Sequence, residues 1–413
     1  MSEANPVVES LVKSITCCDL WHPGLEKCDS AGIELLSVCS SRTVKIYAAL
    51  YLIPHLLKKK SLCGAVKQMI PDVARSASFL TCNCFLVGAA HCVIRKILGR
   101  YTCATVAFVP TLIGSFTAIH IEKLHRQEIL AIYMSSLALE TLYEMAVLRK
   151  VIPPLIGGEV ALFALSSAVL CHFHRTKEVK INDTMEMLMD RLLSCPYPCP
   201  NPSFLTVMRE ALVSQVEKVC QSRGSQCTHS LHCVSNVVNS GINGLVLGTG
   251  IQLFLKLLSS GGSIRQVVRM LNKPGELARI STFVGLFSAG AVGLECALKS
   301  IGVQYNALIS GAVAGLTFSL FPGPSGPVAL YFFCRAFQCV YKKLILDETI
   351  IEIPYDTILL YTISSAVTVH IGVCEPHLMR PSYSAFLNYL TNNKYQAINK
   401  DALSEVLGGL SAI

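Results

Sequence analysis

Residues 131–172 read AIYMSSLALETLYEMAVLRKVIPPLIGGEVALFALSSAVLCH, and residues 329–370 read ALYFFCRAFQCVYKKLILDETIIEIPYDTILLYTISSAVTVH. Laid over one another at a constant offset of 198, 12 of the 42 positions are identical, from Ala131/Ala329 and Tyr133/Tyr331 to His172/His370. Apolar stretches share some residues through composition alone. The block Ser-Ser-Ala-Val-x-x-His, at Ser166–His172 and again at Ser364–His370, is harder to obtain that way. Upstream, Ala74-Arg75 and Ala278-Arg279 align at a slightly different offset. The chain therefore reads as two related halves. Each quoted stretch also holds two apolar runs of about 20 residues, the length a helix needs to cross a bilayer.

Composition points the same way. Of 413 residues 52% are hydrophobic and only 15% charged, with a mean hydropathy of +0.50. Ordinary soluble domains carry about 25% charged residues. That argues against a cytosolic enzyme, a disordered chain or a coiled coil. The expected fold is all-α: a polytopic membrane protein of about ten hydrophobic helices in two internally repeated halves. Candidate spans lie near 43–57, 76–98, 101–121, 128–148 and 155–173, then 234–258, 280–300, 305–321, 326–346 and 355–374. The first is the weakest, being short and holding Pro54. The expected segments are a cysteine-bearing cap at 1–42, a first membrane repeat at 43–173, a polar connection at 174–232, a second repeat at 233–374 and a tail at 375–413. Five crossings per half would invert the halves, and four would leave them parallel.

The net charge of +8 does not imply nucleic acid. Basic residues sit in small groups at the ends of apolar runs, such as Lys58-Lys59-Lys60, Arg149-Lys150 and Lys342-Lys343, where they reach lipid headgroups. The 19 cysteines form no regular disulfide framework, and several lie inside apolar runs. A reducing compartment on at least one side is expected. The first residues carry Glu3, Glu9, Asp19 and Glu26, not the pattern of a secretory or transit signal.

The connection has its own pattern. Met185, Leu188, Met189 and Leu192 recur at helical spacing, as do Phe204, Val207, Met208, Ala211 and Leu212. Such amphipathic helices lie either on a bilayer surface or against the protein itself. The Pro196–Pro202 run forbids helix between them. In the tail, Asn399 before Lys400–Leu407 with Gly408-Gly409 after it reads as a capped short helix.

No P-loop, HExxH, GxSxG or Cys-x2-Cys occurs. No catalytic residue, cofactor or metal is assigned from the sequence, and an enzyme is not expected. Charges within the expected spans are the better lead: Glu140, Glu144, Glu159, Glu295 and Arg335. A charge at the bilayer centre costs about 2.5–3.5 kcal/mol on insertion scales, so it faces the bundle or water. Glu140 and Glu144 are one helical turn apart, and the repeat sets them against Gln338 and Lys342. The expectation is pairing between those two helices, as either a polar pathway or a structural salt bridge. Gly311-x3-Gly315 and Gly244-x3-Gly248 read as helix-packing faces. Two Cys/His groups open the halves: Cys17, Cys18, His22 and Cys28, then Cys220, Cys227, His229, His232 and Cys233. Their spacings match no standard zinc finger, which leaves metal binding, redox pairing and free thiols all open.

Several strings resemble one family, the transmembrane protein 135 family. They are Trp21-His22-Pro23, VKIYAALYLI at 44–53, SASFLT at 76–81, IRKILG at 94–99, IYMSSLALETL at 132–142, GEVALF at 158–163, ALISGAVAGL at 307–316, DTILLYTISSAV at 356–367 and RPSY at 380–383. They run in family order over nearly the whole chain. Ser384 stands where an aromatic residue is usual, and the chain stops soon after Gly408-Gly409, so functions tied to a longer tail are not carried over. The resemblance implies a cysteine-rich N-terminal region and a portion similar to the Tim17 type of translocase and peroxisomal membrane proteins. It also implies mitochondrial and peroxisomal membranes. The expected role is regulation of mitochondrial fission–fusion balance and peroxisomal and lipid metabolism, without chemistry of its own. Expected partners are the lipid bilayer and fission-machinery proteins or lipids, with no nucleic acid. The alternative is a transporter or channel for a lipid-related or small polar solute, with a path through Glu140, Glu144 and Arg335. A third class is a scaffold that recruits soluble partners through 1–42 and 174–232.

Overall fold

The computed structural model describes residues 15–57, 62–193, 204–219, 229–259, 274–321 and 325–404, and these contain helices, turns and bends but no strand. Thr16 opens the first described helix, α1 (Cys17–Leu20), through a capping box: its hydroxyl accepts from the Asp19 N–H, and its own N–H donates to the Asp19 carboxylate at 2.8 Å. Two long helices follow, α2 (Cys28–Leu57) and α3 (Leu62–Leu98). The first runs without a break across residue 42, where the sequence suggested that a cap gives way to a span. A π turn at Ala104–Phe108 leads into α4 (Val109–Ile119). It widens the backbone just ahead of Pro110, which lacks the N–H that a continuous α-helix would use. Then come α5 (Leu124–Leu148), α6 (Gly158–Thr176), α7 (Asp183–Leu193), α8 (Phe204–Val219), α9 (Cys233–Ser259) and α10 (Pro274–Ser300). The last are α11 (Asn306–Gly315) with a 3-10 extension to Leu320, α12 (Gly326–Leu346), α13 (Asp356–Cys374) and α14 (Pro381–Thr391).

The chain divides into two compact units, one formed by Met1–Pro153 with Ile353–Ile413 and the other by Pro154–Glu352. In unit 1, α2 packs on α3, α3 on α4, and α13 lies against both α4 and α5. In unit 2, α9 packs on α10, α10 on α11, and α6 lies against both α11 and α12. The division thus falls inside each half that the sequence suggested. The last helix of the first half belongs to unit 2, and the last helix of the second half belongs to unit 1.

The turns that deliver these two helices match at the offset of 198. Lys150 and Glu348 both have positive φ (57° and 55°), as do Gly157 and Tyr355 (72° and 60°). The backbone bonds Val151 N–H to Ala146 C=O and Gly158 N–H to Leu155 C=O recur as Thr349 N–H to Leu344 C=O and Asp356 N–H to Ile353 C=O.

Among the described residues, three helices are long and apolar enough to cross a membrane: Met69–Leu98, Ala278–Ser300 and Asp356–Cys374. Ala104–Ile119 and Asn306–Leu320 are shorter apolar helices. Three of the expected ten spans, 76–98, 280–300 and 355–374, coincide with these, and the other described helices do not reach that length and apolarity. The reason is polarity along the other helices. Glu140 and Glu144 interrupt α5, while Glu159, His172 and Arg175 sit on α6, and Arg335, Lys342 and Lys343 on α12.

Small residues set the closest approaches. A methyl group placed on Gly315 would lie 2.5 Å from Ala164 Cα, and one on Gly311 would lie 2.7 Å from the Ser167 carbonyl oxygen. The Ser-Ser-Ala-Val block is thus the face of α6 that meets α11. Its counterpart on α13 meets α5, where Ser364 and Ser135 hydroxyls are 3.2 Å apart. Gly244 and Gly248 of α9 touch α10 in the same manner, each 2.7 Å in methyl terms from Val284 O and Ser281 Cα. The core of unit 2 is aromatic, with Phe163 stacked on Phe318 at 4.1 Å between centroids and Phe283 and Phe287 at their edges. The apolar face of α7, with Met185, Met189, Leu192 and Leu193, is buried in that core, so this amphipathic helix packs on the protein itself. Asn399 caps the tail as expected, accepting from Asp401 and Ala402 N–H at 3.1 and 3.2 Å, while 405–413 lie outside the described residues. The Pro196–Pro202 run also lies outside them.

Candidate functional site

Unit 1 holds a cavity of about 1070 Å³. Its walls come from every layer of the unit: the segment around α1, then α2, α3, α4, α5, α13, α14 and the tail. Small-molecule sites are usually about 300–1,000 Å³, so this one has room for a long apolar molecule. The lining is mostly apolar, with Leu35, Phe79, Leu80, Met134, Phe386 and Leu387 among it. A short polar chain crosses the wall. The Ser115 hydroxyl donates to Asn83 Oδ1 at 3.1 Å, and Asn83 Nδ2 donates to Tyr361 Oη at 3.1 Å. Thr111 also lines the cavity, and its buried Oγ1 has no hydrogen-bond partner.

Local contacts hold these walls in place. Arg42 on α2 donates to the Tyr389 carbonyl at 2.7 Å and to Asn392 Oδ1 at 2.6 Å, which ties α2 to α14. Lys394 pairs with Glu34 at 2.8 Å. At the other end Arg95 donates to the Ile15 carbonyl at 2.8 Å, and Asn399 N–H donates to the Leu20 carbonyl at 3.0 Å. The segment before α2 is therefore fastened to both α3 and the tail.

That segment carries the first Cys/His group. The donor atoms of Cys17, Cys18, His22 and Cys28 all lie within 4.8 Å of one another. The Cys17 and Cys28 sulfurs are 3.2 Å apart. Burial, reinforced by the contact with Cys28, pushes the Cys17 thiol up to about 11. Cys92, on α3, joins the group with its sulfur 3.7 Å from His22 Nε2. Sequence spacing offers no way to find Cys92, which is 70 residues from His22. In unit 2 the donor atoms of His229, Cys233 and Cys296 form a second group, also within 4.8 Å of one another. Cys220 and Cys227 lie outside the described residues.

The charges expected within the spans are distributed over local partners. Glu140 accepts from Arg380 Nε at 2.8 Å and pairs with its Nη2 as well. Its partner is thus in the RPSY segment, which the sequence reading had not connected with it. Gln338 and Lys342, the positions that the repeat sets against Glu140 and Glu144, belong to unit 2, and Glu144 is exposed. In unit 2, Glu295 is buried and binds Arg175 at 3.0 Å and Lys299 at 2.7 Å. Glu159 is exposed and hydrogen-bonds Ser325. Arg335 is buried on α12 and donates to Gln338 Oε1 at 3.0 Å and Tyr331 Oη at 3.3 Å. A further buried group had no sequence signal. Glu122 accepts from Ser76 at 2.9 Å and Arg126 at 3.1 Å, and burial raises its carboxyl above the usual glutamate range.

Three helices long and apolar enough to cross a membrane, with two shorter apolar ones, support membrane association of an all-helical protein. Residues 14–147 match the N-terminal cysteine-rich region of Transmembrane protein 135. This match supports the transmembrane protein 135 family, the same family that the strings along the chain resemble. The Tim17-type portion is not shown by it. No solved structure matches the chain.

Proposed function

We propose that this protein binds a long-chain lipid or similar amphiphile within unit 1. On this reading it takes part in lipid handling in mitochondrial and peroxisomal membranes, and through it in the balance of mitochondrial fission and fusion. It performs no chemistry of its own. The cavity carries the reading: it is large and mostly apolar, and a few polar groups in its wall suit one headgroup, including Thr111 with its unpartnered hydroxyl. The two halves form a repeat in which α6 and α13 are exchanged, and the matched turns support that origin. The organelle and the link to fission rest on the family resemblance. The transporter alternative, with its path through Glu140, Glu144 and Arg335, is less well supported, because Glu140 and Arg335 are each engaged locally.

The test uses the full chain purified in detergent and a photoactivatable fatty acid. Crosslinked peptides are expected to map to cavity residues of α2, α3 and α14. Filling the space with Leu35→Trp and Leu387→Trp is expected to weaken binding about tenfold, the equivalent of about 1.4 kcal/mol, without loss of helicity. Crosslinks confined to the outer faces of the helices, with affinity unchanged in the filled variant, would overturn the reading.

A further inference from the structure

The two Cys/His groups occupy the same place in the two units. Cys28 is the first residue of α2, and Cys233 is the first residue of α9. Cys92 and Cys296 lie on the long helix that follows in each case, α3 and α10, and they differ by 204, the same offset that relates Ala74-Arg75 to Ala278-Arg279. A histidine precedes each first helix, His22 and His229, and its Nε2 meets the second-helix cysteine: 3.7 Å to Cys92 and 3.3 Å to Cys296.

The imidazoles are also oriented alike. His22 Nδ1 faces the Leu25 carbonyl at 3.3 Å, and His229 Nδ1 faces the Leu231 carbonyl at 2.5 Å. A carbonyl oxygen only accepts, so Nδ1 carries the proton in each ring. Nε2 is left with its lone pair directed at the cysteines. A backbone carbonyl fixing the far nitrogen is the usual support of a metal-bound histidine.

We propose that each unit carries a site for a thiophilic divalent cation, Zn²⁺ by preference. Its common core is His22, Cys28 and Cys92 in unit 1 and His229, Cys233 and Cys296 in unit 2, with Cys17 and Cys18 as further donors in the first. Thiolate sulfur and imidazole nitrogen are the donors that zinc takes in tetrahedral sites. The cation displaces the thiol protons to solvent, with no change in oxidation state. Each site pins the segment ahead of a long helix onto the following helix, a link between residues about 70 positions apart. This proposal does not rest on the lipid reading.

The test is metal analysis of the full-length protein, purified in detergent under reductant and titrated with Zn²⁺ and, separately, with Co²⁺. Two zinc ions per chain are expected. One is expected in Cys17→Ser/Cys28→Ser/Cys92→Ser and one in Cys233→Ser/Cys296→Ser, with none when the two sets are combined. Co²⁺ on the unaltered protein should give thiolate-to-cobalt charge-transfer bands, a readout that stands even if a serine variant fails to fold. Zinc content no higher than in the combined variant, absence of those bands, or recovery of Cys17 and Cys28 as a disulfide that reductant must break before metal binds would each overturn the proposal.

Discussion

Glu140 shows what one residue's partner decides. Its carboxylate is half-buried on α5 and engaged by two nitrogens of the Arg380 guanidinium. The planar guanidinium suits a carboxylate better than a lysine ammonium does. Removing one member leaves the other partly desolvated without its countercharge. Arg380→Glu and Glu140→Arg should each lower stability by about 1–3 kcal/mol, since charge-assisted hydrogen bonds fall in the range of about 1.5–3 kcal/mol. The double reversal should recover at least half of that loss. Thermal unfolding in detergent checks this, and a double variant no better than the worse single one would show that the pair contributes nothing specific. The sequence marked Glu140 as worth attention because a carboxylate is costly in an apolar helix. It could not name Arg380, 240 residues away at the start of α14.

At the scale of elements, helix contacts here are governed by how closely backbones approach. A membrane helix is apolar on most faces, so hydrophobic periodicity says little about which face meets a neighbour. Missing side chains say more. Gly315 sits where any β-carbon would strike Ala164 of α6, whereas a methyl on Gly290 would rest 3.7 Å from Ala314 Cβ, an ordinary contact. Gly315→Ala should destabilise by about 1–3 kcal/mol, as overpacking does. Gly290→Ala should be neutral or stabilise by up to about 1 kcal/mol, since alanine is the better helix former. Thermal midpoints of the two variants test the contrast, and equal shifts would contradict it. The Gly-x3-Gly pairs were legible in the sequence as packing faces. That one pair meets α6 and the other α10 was not.

For the whole molecule, the assignment of α13 to unit 1 and α6 to unit 2 has a direct consequence. A chain ending at Glu352 keeps every described element of unit 2 but lacks the helix that packs on α4 and α5. Peptides from unit 1 should then exchange amide hydrogens much faster than in the full chain, while those from α6 and α9 to α12 stay protected. Supplying residues 353–413 as a separate chain should restore protection in unit 1. Uniform loss of protection across both units would count against this division of the fold.

The sequence by itself determined that the chain is helical and membrane-like, where most of the long helices fall, though not that α2 and α3 begin well ahead of the expected spans, and that its two halves share a pattern down to the Ser-Ser-Ala-Val block. Those properties come from local composition, hydropathy and backbone preference, which act over one or two helical turns. It also brought His22, Cys28, His229 and Cys233 forward as candidate ligands, because they lie close together along the chain. Only the tertiary structure decided which helix completes which unit, that Cys92 and Cys296 join the two Cys/His groups, and that Arg380 answers Glu140. Each of these is a meeting of residues far apart in sequence. Such a meeting is selected by the fit of whole helices, which no single stretch of the chain contains.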